Sequence, residues 1–207
     1  HRDLHSFPTR RSSDLPCRIA LNEGNITHAK AHAEAGLLFY TDDPDIILIL
    51  AACEIELGQN SQATKLVDEA LKVIGTNDDE LRAIACLIRG DIWGKDRNFE
   101  LQLDEYRNAL KYYERFPLAH ELMGHAFLEM GQYGMARDSF KHALSYGIAM
   151  PWSQLGLGIA TKNLGDMRSA ITEFYRVIET SSDDKILFRA YRNLASCYYR
   201  KRELEEA

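Results

Sequence analysis

The chain has 207 residues, of which 45% are hydrophobic and 27% are charged, and its formal net charge is −6. This composition is typical of globular proteins. The negative net charge provides no overall positive potential to attract nucleic acid. The longest uncharged apolar run, from Ile46 to Cys53, has only eight residues, whereas a membrane-spanning helix needs about 20. The composition therefore argues against nucleic-acid binding and membrane insertion.

The first fifteen residues differ in character from the rest of the chain. The sequence begins with His1, and residues 7–15 resemble the translation of a sequencing adapter. Such segments are excluded from fold reasoning. We therefore expect residues 1–15 to be a non-native tail and residues 16–207 to form the folded array; a flexible basic tail is the alternative.

Several residue types recur at a spacing of 34. Gly24 and Gly58 are separated by this interval, as are Gly131 and Gly165. The same spacing also separates Pro117 from Pro151, Ala136 from Ala170, and Phe140 from Phe174. The 73 residues from Gly58 to Gly131 equal two periods plus five residues. This difference predicts a five-residue insertion, which we place in a lengthened turn at residues 93–98.

Each period predicts two helices separated by a glycine turn. In residues 117–150, Pro117 fits a first helical turn, where its missing N–H costs nothing. The first helix then runs from Leu118 to Met130, Gly131 breaks it, and the second helix runs from Tyr133 to Tyr146. Acidic N-cap signals mark other starts at residues 42–44, 77–79 and 182–184. No segment of this array predicts a strand.

Residues 122–144 carry a recognisable motif. It comprises Leu122-Met123-Gly124-His125-Ala126-Phe127, Gly131-Gln132-Tyr133, Ala136, Phe140 and Ala143-Leu144. This motif resembles the tetratricopeptide repeat (TPR), and residues 193–198 resemble the start of another copy. The resemblance implies an all-α fold, a right-handed α-solenoid of stacked antiparallel helix pairs forming a TPR-like superhelix. The expected repeats are a partial one at 16–43, full ones at 44–77, 78–116, 117–150 and 151–184, and a partial one at 185–207.

The sequence contains no convincing metal, cofactor or catalytic motif. His28 and His32 have the spacing of a helical metal pair, but no third ligand accompanies them. His120 and His125 are five residues apart, so their side chains point about 140° apart on a helix and cannot share a metal. The four cysteines form no Cys-x-x-Cys pair and indicate free thiols in a reduced compartment or small core residues. We predict no metal, no cofactor and no catalysis by this chain itself.

The resemblance also implies that the first helices line a concave groove. The faces we assign to it carry Leu48, Ala52 and Ile55, then Arg82, Cys86 and Arg89, and then the candidate ligand-binding residues. These candidates are Leu118, Glu121, His125, Leu128, Trp152, Leu155, Ile159, Lys162, Arg189 and Arg192. Their apolar members predict an exposed patch; tighter packing that buries some of them is the alternative. Some TPR proteins clamp a C-terminal carboxylate with lysine and asparagine, and the matching faces lack that set.

Charge is unevenly distributed along the chain. Residues 16–80 hold 12 acidic and 4 basic side chains, whereas residues 81–207 hold 17 acidic and 18 basic ones. This asymmetry has two interpretations. The charges lie on ordinary solvent-exposed helix faces, or they orient a polar ligand in a fixed direction along the array.

These features together predict a protein–protein interaction scaffold that binds a peptide or a partner helix in the groove. One alternative is the TPR region of a larger enzyme or signalling protein whose catalytic domain lies outside this sequence. Another is a structural array for self-assembly. The sequence leaves the ligand and the oligomeric state open.

Overall fold

The computed structural model describes residues 24–147 and 150–206, with side chains described up to residue 200. The described residues form ten α-helices and contain no β-strand, which confirms the predicted all-α class. The helices are α1 Ile26–Leu37, α2 Pro44–Glu56, α3 Asn60–Val73, α4 Asp79–Lys95, α5 Phe99–Tyr112, α6 Pro117–Glu129, α7 Tyr133–Leu144, α8 Pro151–Asn163, α9 Met167–Thr180 and α10 Asp184–Glu206. The predicted tail at residues 1–15 lies outside the described residues, as do residues 16–23.

The chain divides into two compact units between Glu114 and Arg115. In the N-terminal unit α2 packs on α3 and α4 on α5, while α1 packs on α2 and α3 contacts α4. In the C-terminal unit α6 packs on α7 and α8 on α9, while α7 contacts α8 and α9 contacts α10. Short turns join the two helices of each pair, so each pair is an antiparallel hairpin. Within each unit the pairs stack as the repeat pattern predicts.

The predicted helix starts agree with the observed ones. Asp43 and Asp78 are N-caps whose side chains accept hydrogen bonds from the backbone N–H groups of Asp45 and Leu81. Proline opens α2, α6 and α8. These residues satisfy or remove backbone donors that a helix start leaves free.

Four turns end the first helices of the pairs with the same hydrogen-bond pattern. At Gly131, for example, the Gly131 and Gln132 N–H groups donate to the carbonyls of Leu128 and Phe127 at 3.1 and 2.9 Å. This Schellman motif needs a residue with positive φ, which Gly58, Gly131 and Gly165 supply. In the turn after α4 the same position is held by Arg97, with φ 59°.

The predicted lengthened turn at residues 93–98 is wrong. The turn after α4 spans only residues 96–98, like the three-residue turns after α2, α6 and α8. Instead, α4 has 17 residues where α2, α6 and α8 have 13. The error arose because Arg97 replaces the glycine that marks the other turns, which hid the end of the helix from the repeat pattern.

A glycine in the first helix meets an aromatic ring from the second helix in three successive pairs. A Cβ atom added to Gly124 would lie 2.6 Å from Cε1 of Phe140. The same distance separates a Cβ on Gly90 from the Tyr106 ring, and one on Gly158 from the Phe174 ring. All three rings are fully buried, so the helices approach as closely as they do because these positions lack a side chain.

We predict that Gly124→Ala destabilises the protein by about 1–3 kcal/mol, because the added methyl group overpacks the contact with Phe140. The matched control is Gly134→Ala in α7, where an added Cβ meets no atom within 4 Å. The control should be neutral or stabilising by up to about 1 kcal/mol, because alanine favours a helix over glycine. Urea unfolding midpoints measure both variants. Equal midpoints for the two variants would contradict the proposed contact.

A stack of imidazole and phenol rings joins α6 to the end of α7. The ring of His120 lies 5.4 Å from that of His142 and 6.0 Å from that of Tyr146, centroid to centroid. Arg115 in turn lies 6.0 Å from the centre of the Tyr146 ring. Burial lowers the pKa of His120, and the neighbouring His142 lowers it further. The folded chain therefore favours neutral His120.

We expect this histidine to make folding stability depend on pH. In the unfolded chain His120 has the ordinary histidine pKa of 6.5. In the folded chain the pKa of His120 is lower. Stability is therefore complete above the unfolded pKa and decreases as the pH falls through the folded pKa. His120→Gln should reduce the loss of the urea midpoint between neutral pH and mild acid, whereas replacing His32, which is exposed on α1, should not. An unchanged pH dependence in His120→Gln would exclude His120 as its source.

Candidate functional site

An open groove of about 230 Å³ lies in the C-terminal unit, between α6, α8 and α10. We name it the Trp152 groove. Its lining residues are His125, Leu128, Glu129, Trp152, Leu155, Gly156, Ile159 and Arg189. The groove brings together six of the ten residues predicted to bind a ligand.

The helical period places these side chains on shared faces. On α8, Trp152, Leu155 and Ile159 are separated by three and four residues, so they line one side of the helix. On α6, His125 and Glu129 are one turn apart. α8 packs against both α6 and α10. The side of α8 that lines the groove therefore lies between the lining residues of α6 and that of α10.

Trp152 belongs both to the groove and to the core. Its indole packs against the C-terminal core cluster, defined by the buried residues Leu155, Ala170, Phe174, Val177, Ile186, Ala190, Leu194 and Cys197. The guanidinium carbon of Arg189 lies 5.2 Å from the centre of the indole ring, in cation–π range. The indole Nε1 is buried and has no hydrogen-bond partner. The ring is thus held firmly while its one polar group remains unused.

The expectation of an exposed apolar patch needs correction. Leu155 is only 1% exposed and belongs to the core cluster. Leu118, Leu128, Trp152 and Ile159 are half-buried, and Leu118 does not line the groove. The alternative expectation, that packing buries some of these residues, therefore describes Leu155.

The corresponding face of α2 is also buried. Leu48, Ala52 and Ile55 are each no more than 5% exposed, although we expected them to face a groove. A helix that is apolar on all sides is buried on all sides, and α2 has this character because it carries the run from Ile46 to Cys53.

The remaining predicted polar residues lie outside the lining of the groove. Glu121 accepts a hydrogen bond of 2.5 Å from the hydroxyl of buried Ser153 and so links α6 to α8. Lys162 donates to the side-chain oxygen of Asn193 at 2.6 Å. Burial lowers the pKa of Lys162, and the positive charges of Arg200 and Arg192 lower it further. Arg192 is exposed on α10.

Two lining residues were missed by the sequence-based prediction. Glu129 is one turn beyond His125, so helical spacing alone would have found it. Gly156 is a packing position, because a side chain there would enter the ring of Phe140. His125 contacts the same ring edge to face, with centroids 5.1 Å apart. Gly156 and His125 therefore both rest on Phe140.

The described residues contain no group of three or more histidine, cysteine, aspartate or glutamate side chains arranged to hold a metal. Cys53, Cys86 and Cys197 are buried and form no disulfide within the described residues. Burial, with a contribution from Glu105, raises the pKa of Cys86 to about 11, so that this thiol is a poor nucleophile. Within the part of the chain that is described, no helix combines the length and apolar character needed to cross a bilayer.

Three solved structures are similar to this chain at low sequence identity. The Cut9–Hcn1 hetero-tetramer of APC/C matches 92% of this chain with 16% identity and a TM-score of 0.74, and this chain spans 36% of that one. A thermophilic TPR protein in Thermus thermophilus matches 91% with 17% identity and a TM-score of 0.69, over 100% of its own length. The first TPR of Spaghetti, bound to an HSP90 peptide, matches 61% with 17% identity and a TM-score of 0.56, over 98% of its length.

No curated protein matches the sequence significantly. The tetratricopeptide repeat family model matches residues 119–146, which comprise most of α6, the turn at Gly131 and all of α7. Three observations indicate the same helical repeat. They are the family match at α6–α7, the glycine–ring contacts in α4–α5 and α8–α9, and the three structural matches. Residues 119–146 therefore match the tetratricopeptide repeat, and the described residues share the helical-repeat fold of the similar structures.

Proposed function

We propose that this chain is a non-catalytic protein-interaction scaffold whose C-terminal unit binds a peptide or a partner helix in the Trp152 groove. The observation that carries the proposal is the state of Trp152. Its ring is fixed against the core, and one side of it lines an open groove. A rigid aromatic side chain in the wall of an open groove is well suited to contact a bound chain.

The dimensions of the groove favour a side chain over a cofactor. Its volume of about 230 Å³ is below the roughly 300 Å³ at which small-molecule sites begin. Leu128, Leu155 and Ile159 give it apolar walls, which suit the insertion of one large apolar side chain.

The structural comparisons support binding of this kind by analogy. The similar structure of Spaghetti holds a peptide, and the other two similar structures share the helical-repeat fold with this chain. Because sites differ among proteins of one fold, the analogy supports the class of ligand and leaves its sequence open.

We expect Trp152→Ala to weaken peptide binding by about 2 kcal/mol or more, roughly 30-fold, because it removes the aromatic wall at the centre of the groove. Ligands are selected from a displayed library of random peptides on the parent protein, and their affinities are then measured for each variant. The matched control is Tyr175→Ala. Tyr175 is 43% exposed on α9, lies outside the lining of the groove, and has its hydroxyl 3.2 Å from that of Tyr198.

Trp152→Phe separates binding from stability in the same experiment. It keeps most of the packing against the core cluster and reduces the aromatic wall of the groove, so it should bind less tightly while melting close to the parent. All affinities are measured well below the melting temperature of the weakest variant. Peptides that bind Trp152→Ala as tightly as the parent would show that Trp152 serves stability alone and that the ligands bind elsewhere.

A further inference from the structure

Positive charge is concentrated on the α10 side of the Trp152 groove. Arg189, Arg192 and Arg200 are exposed on α10, and their spacings of three and eight residues place them within about 80° of one another around the helix. Lys162 on α8 is close enough to Arg192 and Arg200 for their charges to lower its pKa. Three arginines and one lysine thus form one strip beside the groove, which we call the α10 basic strip.

No carboxylate of the described residues forms an ion pair with the α10 basic strip. The ion pairs of the C-terminal unit join Arg137 to Asp138 and Arg176 to Glu173. Lys162 binds the neutral amide of Asn193, and Arg189 stacks on Trp152. The positive charge of the strip is therefore available to a ligand.

The acidic side chains nearest the groove lie across from this strip, on α6. Glu121 accepts the hydrogen bond from Ser153, and Glu129 lines the groove while remaining exposed. The groove is consequently polarised, with the Glu129 carboxylate on the α6 side and cations on the α10 side. A bound segment with charged residues is oriented by this polarity.

We propose that the partner segment is acidic: it inserts one large apolar side chain into the Trp152 groove and places its carboxylates on the α10 basic strip. This inference rests on the proposed function and adds the chemistry of the ligand. Arg189 connects the two parts, because it both covers the ring of Trp152 and carries an unpaired charge.

The test uses peptides with both termini blocked, so that only side-chain charge is varied. One peptide places a leucine among four glutamates, and the others replace the glutamates with glutamines or lysines. We expect the glutamate peptide to bind the full chain at least tenfold more tightly than the glutamine peptide, and to lose most of this advantage at high salt. The lysine peptide should bind more weakly than either.

Charge reversal at Arg189 provides the specific control. Arg189→Glu should weaken binding of the glutamate peptide at least tenfold and should favour the lysine peptide. Lys141→Glu makes the same change in net charge at an exposed residue of α7 and should leave both affinities within about twofold. Because Arg189 and Lys141 are both exposed, melting curves should confirm that the two variants remain folded.

The outcomes separate this inference from the proposed function. If the glutamate and glutamine peptides bind equally and both depend on Trp152, the acidic ligand is wrong and the groove function stands. Equal weakening by Arg189→Glu and Lys141→Glu would show an effect of net charge alone and would also overturn the inference. Tighter binding of a short single-stranded oligonucleotide than of the glutamate peptide would reassign the α10 basic strip to nucleic acid.

Discussion

The close approach of a glycine to an aromatic ring fixes the geometry of the helix pairs, and the groove depends on it. In three successive pairs, the ring enters the space that a side chain on the first helix would occupy. The corresponding positions of α2–α3 carry Ala51 and Val67, both fully buried. The larger residue on the first helix is therefore matched by a smaller one on the second, so that the total volume at the contact is conserved. This compensation is what close packing requires.

Phe140 extends this constraint from one pair to the next. Its ring meets Gly124 of its own pair, and it also occupies the space that a side chain on Gly156 of α8 would need. The position of α8 beside α6 thus depends on a single phenyl ring with a glycine on each side. His125 rests edge-on against the same ring. Because His125 and Gly156 line the Trp152 groove, a substitution at Phe140 changes the shape of the groove as well as the core.

The sequence predicts the features that depend on local spacing and misses those that depend on tertiary packing. Helix starts and glycine turns follow from the 34-residue period, and helical spacing groups most of the groove residues correctly. The end of α4 was missed because Arg97 adopts a positive φ, a conformation that sequence patterns assign to glycine. The sequence left open which of the groove candidates are buried, because the angular position of a residue on α8 does not reveal that the core cluster encloses Leu155.

The two sides of the groove differ in the kind of selectivity that they can provide. On α8, Leu155 and Trp152 are immobilised by the core cluster, so binding an apolar side chain there costs little additional conformational entropy. On α10, Arg192 and Arg200 are long exposed side chains that lose rotamer freedom when they pair with a ligand, and their attraction is screened by salt. For the ligand that we propose, affinity therefore depends mainly on the rigid wall of α8, while the α10 basic strip discriminates among segments that already fit the apolar groove. Arg189 is the exception on α10, because the ring of Trp152 restricts its guanidinium before any ligand binds.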